Sequence, residues 1–301
     1  MPIRQQLVAS FHQKYRQSDF WINCVLFGLL GASLWPVTMW IAQTANDQSR
    51  ILNALIVLAA ASILLVRFGS VTIERPLELN LAARRALLTA YLLLGATYLT
   101  SSFLHTSWLN LLIIPAYCCA LAAAIRFIFG EGTLRLTRTV AGTLCVFLLL
   151  SIFMQPLDWP LRSLAGQWSG YALERLGQST NLGLIGQETG PPMLILLVNE
   201  HPFHVASECN GFGVILTSLL LALMLAIHQR LNMFKLGLNV LTAAFLGFAF
   251  NTLRIVIIVL LAPSLMEHYY LMHEIIGGLS YWACLIVVWF LFKGPTRPEI
   301  A

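Results

Sequence analysis

Three side chains suited to acyl-transfer chemistry lie in the last third of the chain. They are Cys209 in Ser207-Glu208-Cys209-Asn210-Gly211, Arg254 in Asn251-Thr252-Leu253-Arg254, and His273 in His273-Glu274-Ile275-Ile276-Gly277-Gly278. Cys209 stands just before an apolar run that opens at Phe212. A thiol in the first turn of a helix meets the positive end of the helix dipole and unpaired backbone N–H groups, both of which favour the reactive thiolate. Position alone equally allows an inert buried thiol, the commoner fate of a free cysteine. Arg254 falls inside the apolar stretch 238–262, about eight residues or roughly 12 Å from its end at 1.5 Å per residue. A guanidinium costs about 2.5 kcal/mol or more near a bilayer centre, so it is kept there with a partner or a wet cavity unless it snorkels to the surface. Asn251, three residues earlier, shares its helix face. His273 opens the last apolar stretch, and Gly277, four residues on, lies under the same face where a neighbouring helix could approach. Alone, such a histidine is an ordinary polar cap; its company is what singles it out. Together the three divide one reaction: the thiolate attacks an amide carbonyl, histidine protonates the leaving amine and later activates the acceptor, and arginine holds the oxyanion.

The elements that must position these groups are membrane helices. Of 301 residues 58% are hydrophobic and 10% charged, with a mean hydropathy of +0.77, against about 25% charge in a soluble domain. Spans need about 20 mostly apolar residues. They are read at 21–42, 51–66, 86–104, 108–128, 139–157, 212–227, 238–262 and 273–292, the second being the shortest. The expectation is an all-α polytopic membrane protein with about eight transmembrane helices and one long extracytoplasmic loop. It forms a single domain: scaffold spans in 1–157, the loop in 158–211 and catalytic spans in 212–293. No compact apolar run precedes Trp21, so no cleaved signal peptide is expected. With both termini inside, Arg50, Arg162 and Arg175 face out, Arg254 lies in a span, and the other 14 of the 18 Lys and Arg face in. That asymmetry is the positive-inside pattern. It explains the net charge of +5 as a topology signal, with lipid and not nucleic acid as the implied environment. Cys24, Cys118, Cys119, Cys145 and Cys284 fall within spans as packing residues, which leaves Cys209 as the one cysteine on the outer face. In the loop, Leu161, Leu164, Ala165, Trp168, Ala172 and Leu176 recur at helical spacing opposite Arg162, Gln167, Glu174 and Arg175. This suggests an amphipathic helix, either lying at the membrane interface or packed on the rest of the loop. Glycines and the Pro191–Pro192 pair, followed by the run 193–198, suggest one or two short strands before the chain re-enters the membrane.

The order of an outer-face Cys-Asn-Gly, an Asn-x-x-Arg in the next span and a His followed by Gly-Gly at the start of the last resembles the exosortase/archaeosortase family of multi-pass cysteine transpeptidases. The resemblance covers the second half by motif and the whole length by span number. It implies Cys209 as nucleophile, Arg254 as the oxyanion-stabilising or substrate-positioning residue and His273 as general acid/base, with Glu208, Asn210 and Asn251 as auxiliary residues. It implies an enzyme of the cytoplasmic (inner) membrane that needs no cofactor. Its partners would be exported proteins ending in a short motif, a membrane helix and a basic tail, whose new carboxyl end passes to a surface acceptor. The chain departs from the family's usual Ala-Cys-Ser-Gly by carrying Glu208-Cys209-Asn210-Gly211. A carboxylate beside the thiol opposes thiolate formation, which bears on the acceptor, the sorting motif and the pH optimum.

Two other readings compete. Glu200, His201, His204 and Glu208 are close in sequence, and His201 and His204 could supply two metal ligands on a helix. Pro202 between them disfavours that helix, and no metal is expected. A non-enzymatic scaffold or transporter linked to surface polysaccharide export would use Arg254 to line a path, but the inverted repeats or paired broken helices of transporters are not evident. Thiol dependence of cleavage separates these readings.

Overall fold

The computed structural model describes residues 3–47, 49–68, 75–103, 105–153, 155–186, 193–205 and 212–293. These residues fall into two compact units, one built from the described parts of Met1–Leu150 with Ile227–Arg230, the other from those of Ser151–Ala226 with Leu231–Gly294.

The first unit holds α1 (Ile3–Lys14), α2 (Ser18–Ser33), α3 (Trp35–Asp47), α4 (Ser49–Phe68), α5 (Leu81–Thr100), α6 (Thr106–Phe129) and most of α7 (Leu134–Phe153). The first predicted span is bent by 51° between α2 and α3. Pro36 accounts for the break, since it has no N–H to give and its ring crowds the preceding turn. α5 starts five residues earlier than its apolar run because Asn80 caps it, Oδ1 accepting from the Ala83 N–H at 2.7 Å. Arg84 and Arg85 therefore sit near its start. Arg126, half-buried near the end of α6, donates from Nε to Thr137 Oγ1 of α7 at 2.9 Å and from Nη1 to the Ala82 carbonyl of α5 at 3.3 Å. Leu30, Leu34, Val37, Leu87, Ala90 and Ala123 form the core between α2, α3, α5 and α6.

The second unit holds α8 (Asp158–Arg175), three strands, α9 (Phe212–His228, to Ala226), α10 (Met233–Leu261) and α11 (Tyr269–Leu291). The strands β1 (Thr180–Ile185), β2 (Met193–Val198) and β3 (His201–His204) make an antiparallel sheet in the order β1-β2-β3. Among its described residues the 158–211 segment thus holds three short strands where one or two are expected, in a chain otherwise built of helices as the all-α membrane expectation has it. β3 escaped notice because Pro202 is a poor strand residue except on an edge, which is where it lies. The β2–β3 turn is a two-residue hairpin with Asn199 at φ 49° and Glu200 at φ 67°, as a type I′ turn requires. Asn199 steadies it by accepting the Ser179 N–H at Oδ1, 3.0 Å away.

α8 corrects its expected amphipathic pattern. The face turned to the sheet consists of small residues, with Gly166 and Gly170 one turn apart under Leu182, Leu194, Thr180 and Leu196, Ala165 and Ser169 fully buried and Leu173 beside them. Leu164, Trp168 and Leu176 of the predicted apolar face are exposed. Ala165, Leu173, Leu194, Leu196, Val198 and Val205 form one core with Ile255, Val256 and Val259 of α10. The sheet and α8 are thereby clamped onto the C-terminal third of α10, the stretch that carries Arg254.

A helix occupies each of the eight predicted spans. Among the described residues four are long and apolar enough to cross a membrane by themselves, or five if the bent α2–α3 pair counts as one span. α9 is a shorter apolar helix, about 25 Å long at 1.5 Å per residue against a hydrocarbon core of about 30 Å.

α9 and α10 run antiparallel in close contact. A Cβ on Gly247 would lie 2.8 Å from the Ile215 Cα, and Ser218 Oγ donates to the Ala243 carbonyl at 2.9 Å. In lipid, helices gain little from burying apolar surface against each other, so small residues and a hydroxyl hold this seam. Gly247→Leu should therefore force the helices apart and cost about 1–3 kcal/mol, read as a lowered thermal midpoint in detergent. Gly237→Ala, on the same helix with nothing within 4 Å, should hold or raise the midpoint.

Candidate functional site

Arg254 and His273, 19 residues apart, meet in the structure: Arg254 Nη2 lies 3.2 Å from His273 Nε2. A guanidinium has only donors, so this contact is a hydrogen bond when Nε2 is the acceptor. In the tautomer that allows it, the imidazole carries its proton on Nδ1. Nδ1 faces Glu274, whose Oε1 is 3.6 Å away. The arrangement is a row of cation, imidazole and carboxylate, with Glu274 exposed and the His273 side chain 20% exposed. Arg254 is half-buried, which meets the requirement that an arginine at this depth be partnered.

α11 begins at Tyr269, one turn before the predicted start at His273, with short 3-10 turns ahead of it. Tyr269, His273 and Gly277 recur at spacings of four and so share one face. The Tyr269 ring stands 6.2 Å from the His273 ring. A Cβ on Gly277 would fall 2.9 Å from Arg254 Nη2 and within 3.2 Å of Cζ and Nε. The close approach expected at Gly277 is therefore made by the arginine side chain, not by a neighbouring helix. On α10, Ala243, Gly247, Asn251 and Arg254 follow each other at helical spacing. Ala243 and Asn251 are wholly buried.

The α9–α10 seam sets the level of α9's first turn. Ile215 lies against Gly247 and Ser218 against Ala243, so each step forward in α9 is a step back in α10. Phe212, three residues before Ile215, is by that register level with Phe250, next to Asn251 and one turn from Arg254. Cys209, Glu208 and Asn210 lie outside the described residues. They belong to the six-residue connection between Val205, which is buried in the core with Ile255 and Val256, and the start of α9.

The helix on which His201 and His204 could have supplied two ligands is not formed. His201 and His204 lie in β3 and not on a helix. Residues three apart on a strand point to opposite faces, so the two imidazoles do not converge. Among the described residues no group of three His, Cys, Asp or Glu is placed to hold a metal ion. Sequence reasoning assigned no part to Glu274 or Tyr269; the signals were a carboxylate directly after the histidine and an aromatic one turn before it.

No curated protein and no solved structure matches the chain. The family model for transmembrane exosortase (Exosortase_EpsH) matches residues 44–290, from α3 to the end of α11. With that match over most of its length, the chain belongs to the transmembrane exosortase family, a family of membrane cysteine peptidases and transpeptidases.

Proposed function

We propose that this protein is a cysteine transpeptidase of the cytoplasmic membrane that cleaves the C-terminal sorting signal of exported proteins at the outer face, with Cys209 as nucleophile. Its eight helical spans would leave both termini in the cytoplasm, in accord with the Lys and Arg distribution. The observation that carries the reading is the convergence of Arg254 and His273 at 3.2 Å at the level where α9 begins, three residues after Cys209. Connectivity keeps the thiol near: Cys209 is four residues from Val205, a span of at most about 14 Å between Cα atoms at full extension.

In this mechanism His273 Nε2 takes the proton of the Cys209 thiol and becomes the imidazolium, the thiolate attacks the scissile carbonyl carbon, and Arg254 donates to the oxygen as it gains charge. Collapse breaks the C–N bond. The leaving amine takes a proton from the imidazolium of His273, and the substrate's new carboxyl end is held as a thioester. An acceptor amine or water then gives its proton to His273 Nε2 and attacks the thioester, expelling the thiolate. Arg254 holds Nε2 in the described arrangement. Arrival of a carbonyl would draw the guanidinium to the oxyanion and free Nε2 for proton transfer, while Glu274 keeps the Nδ1 side oriented. Asn251 supports the buried face beside Arg254, and Glu208 and Asn210 flank the thiol.

Coexpression with an exported protein ending in motif, helix and basic tail tests this reading. Cys209→Ala should abolish processing while the protein still accumulates in the membrane, and Cys118→Ala and Cys284→Ala, both buried packing positions, should keep most activity. Normal processing by the Cys209→Ala protein ends the cysteine mechanism. A membrane-impermeant maleimide should label Cys209 in intact cells and leave the other five cysteines unlabelled; labelling of Cys209 only after permeabilisation would reverse the orientation.

His273→Gln retains an acceptor for the arginine but cannot move a proton, so turnover should fall by about a hundredfold or more with the thermal midpoint held. Arg254→Lys keeps the charge and loses the planar fork, with a similar loss, as when one oxyanion donor is removed. Arg254→Gln should be inactive yet at least as stable as the parent, since it relieves the burial of a charge. Unfolding of Arg254→Gln, or parental turnover by Arg254→Lys, would make the arginine a structural partner only.

A further inference from the structure

We propose that Gly277 is a positioning residue that seats the Arg254 guanidinium, an inference that rests on the role given to Arg254 above. A Cβ at position 277 would lie 2.9 Å from Nη2, 3.1 Å from Cζ and 3.2 Å from Nε of Arg254. Three atoms of one planar group thus crowd the place where a Cβ would stand. The same Nη2 meets His273 Nε2 at 3.2 Å, one turn earlier on α11. The guanidinium therefore lies over a single turn of α11, with Nη2 between the imidazole and Gly277 and with Cζ and Nε over Gly277. Any side chain at 277 fills the seat.

A Cβ on the adjacent Gly278 would meet nothing within 4 Å. Alanine is the better helix former at both sites, so helix propensity gives no reason for either glycine and the two differ only in what lies above them. A methyl at 277 would push the guanidinium off α11, part it from His273 and misalign its donors. The consequence belongs to the transition state, where the oxyanion forms, and not to substrate capture.

The test compares Gly277→Ala with Gly278→Ala in the full-length protein, using the tripartite substrate and three readings. For Gly277→Ala, kcat should fall about a hundredfold, as for loss of an oxyanion donor, with KM little changed and the thermal midpoint equal to or above the parent. Gly278→Ala should match the parent throughout. In an Arg254→Lys background, Gly277→Ala should cost less than about threefold further, the non-additivity expected of two residues acting through one contact. A third reading needs no catalysis: labelling of the Arg254-containing peptide by phenylglyoxal should rise severalfold in Gly277→Ala and stay level in Gly278→Ala. Parental kcat for Gly277→Ala, a full additive loss in the lysine background, unfolding of Gly277→Ala, or unchanged arginine labelling would each overturn the proposal. If labelling rises while even the parent leaves the substrate uncut, the seat stands and the proposed substrate reading fails.

Discussion

The constraint on which the second unit depends is the placing of a permanent positive charge within an apolar helix. Arg254 cannot shed its proton and sits about 10 Å from the C-terminal end of α10 at 1.5 Å per residue, where an unpartnered guanidinium would cost about 2.5 kcal/mol or more. The surroundings answer that cost at several points. His273 offers an imidazole nitrogen as acceptor at 3.2 Å. Gly277 omits the side chain that would collide with the fork. The turn after Arg254 carries Ile255, Val256 and Val259, which anchor the sheet and α8 to α10. A residue that stability alone would discard is thus met by α11 and carried on the stretch of α10 to which the sheet and α8 are clamped.

The two kinds of packing around it follow from their solvents. Between α9 and α10 the alternative to contact is lipid, so association relies on close approach at Gly247 and on the Ser218 hydroxyl. Between α8, the sheet and α10 the contact is an aliphatic core of Leu173, Leu194, Leu196 and Val198 with α10 residues. Where such side chains leave water, each contributes about 1.5–3 kcal/mol. Both interfaces bear on the chemistry. The first sets the level at which α9 begins, and the second holds Val205, so the connection that carries Cys209 is anchored at both ends near Arg254.

The His273 contact also defines a resting arrangement. In the tautomer that lets Arg254 donate to Nε2, the lone pair that a base needs is occupied, and Nδ1, with its proton, is on the side of Glu274. A site that opens this pair only when a carbonyl competes for the guanidinium would keep the base unavailable in the absence of substrate.

What the sequence by itself determined is the membrane class, a helix at each of eight apolar stretches, and the chemical types at 209, 254 and 273. These are legible because lipid forces apolar composition on any spanning helix, and because an arginine or histidine inside such a helix has no reason in packing alone. Helix ends were less legible: the Asn80 cap admits Arg84 and Arg85 into α5, and Pro36 breaks a stretch that composition makes continuous. β3 was hidden by Pro202, and the buried face of α8 by its own small residues, whose fit to the sheet has no signature in hydrophobic period. Only the tertiary structure decided that His201 and His204 diverge, that Arg254 reaches His273 across 19 residues, and that Gly277 faces the guanidinium while Gly278 faces nothing within 4 Å. The physical reason is that adjacent glycines are identical as letters. What distinguishes them is the rotation of α11 about its axis, which is set by the helices packed against it.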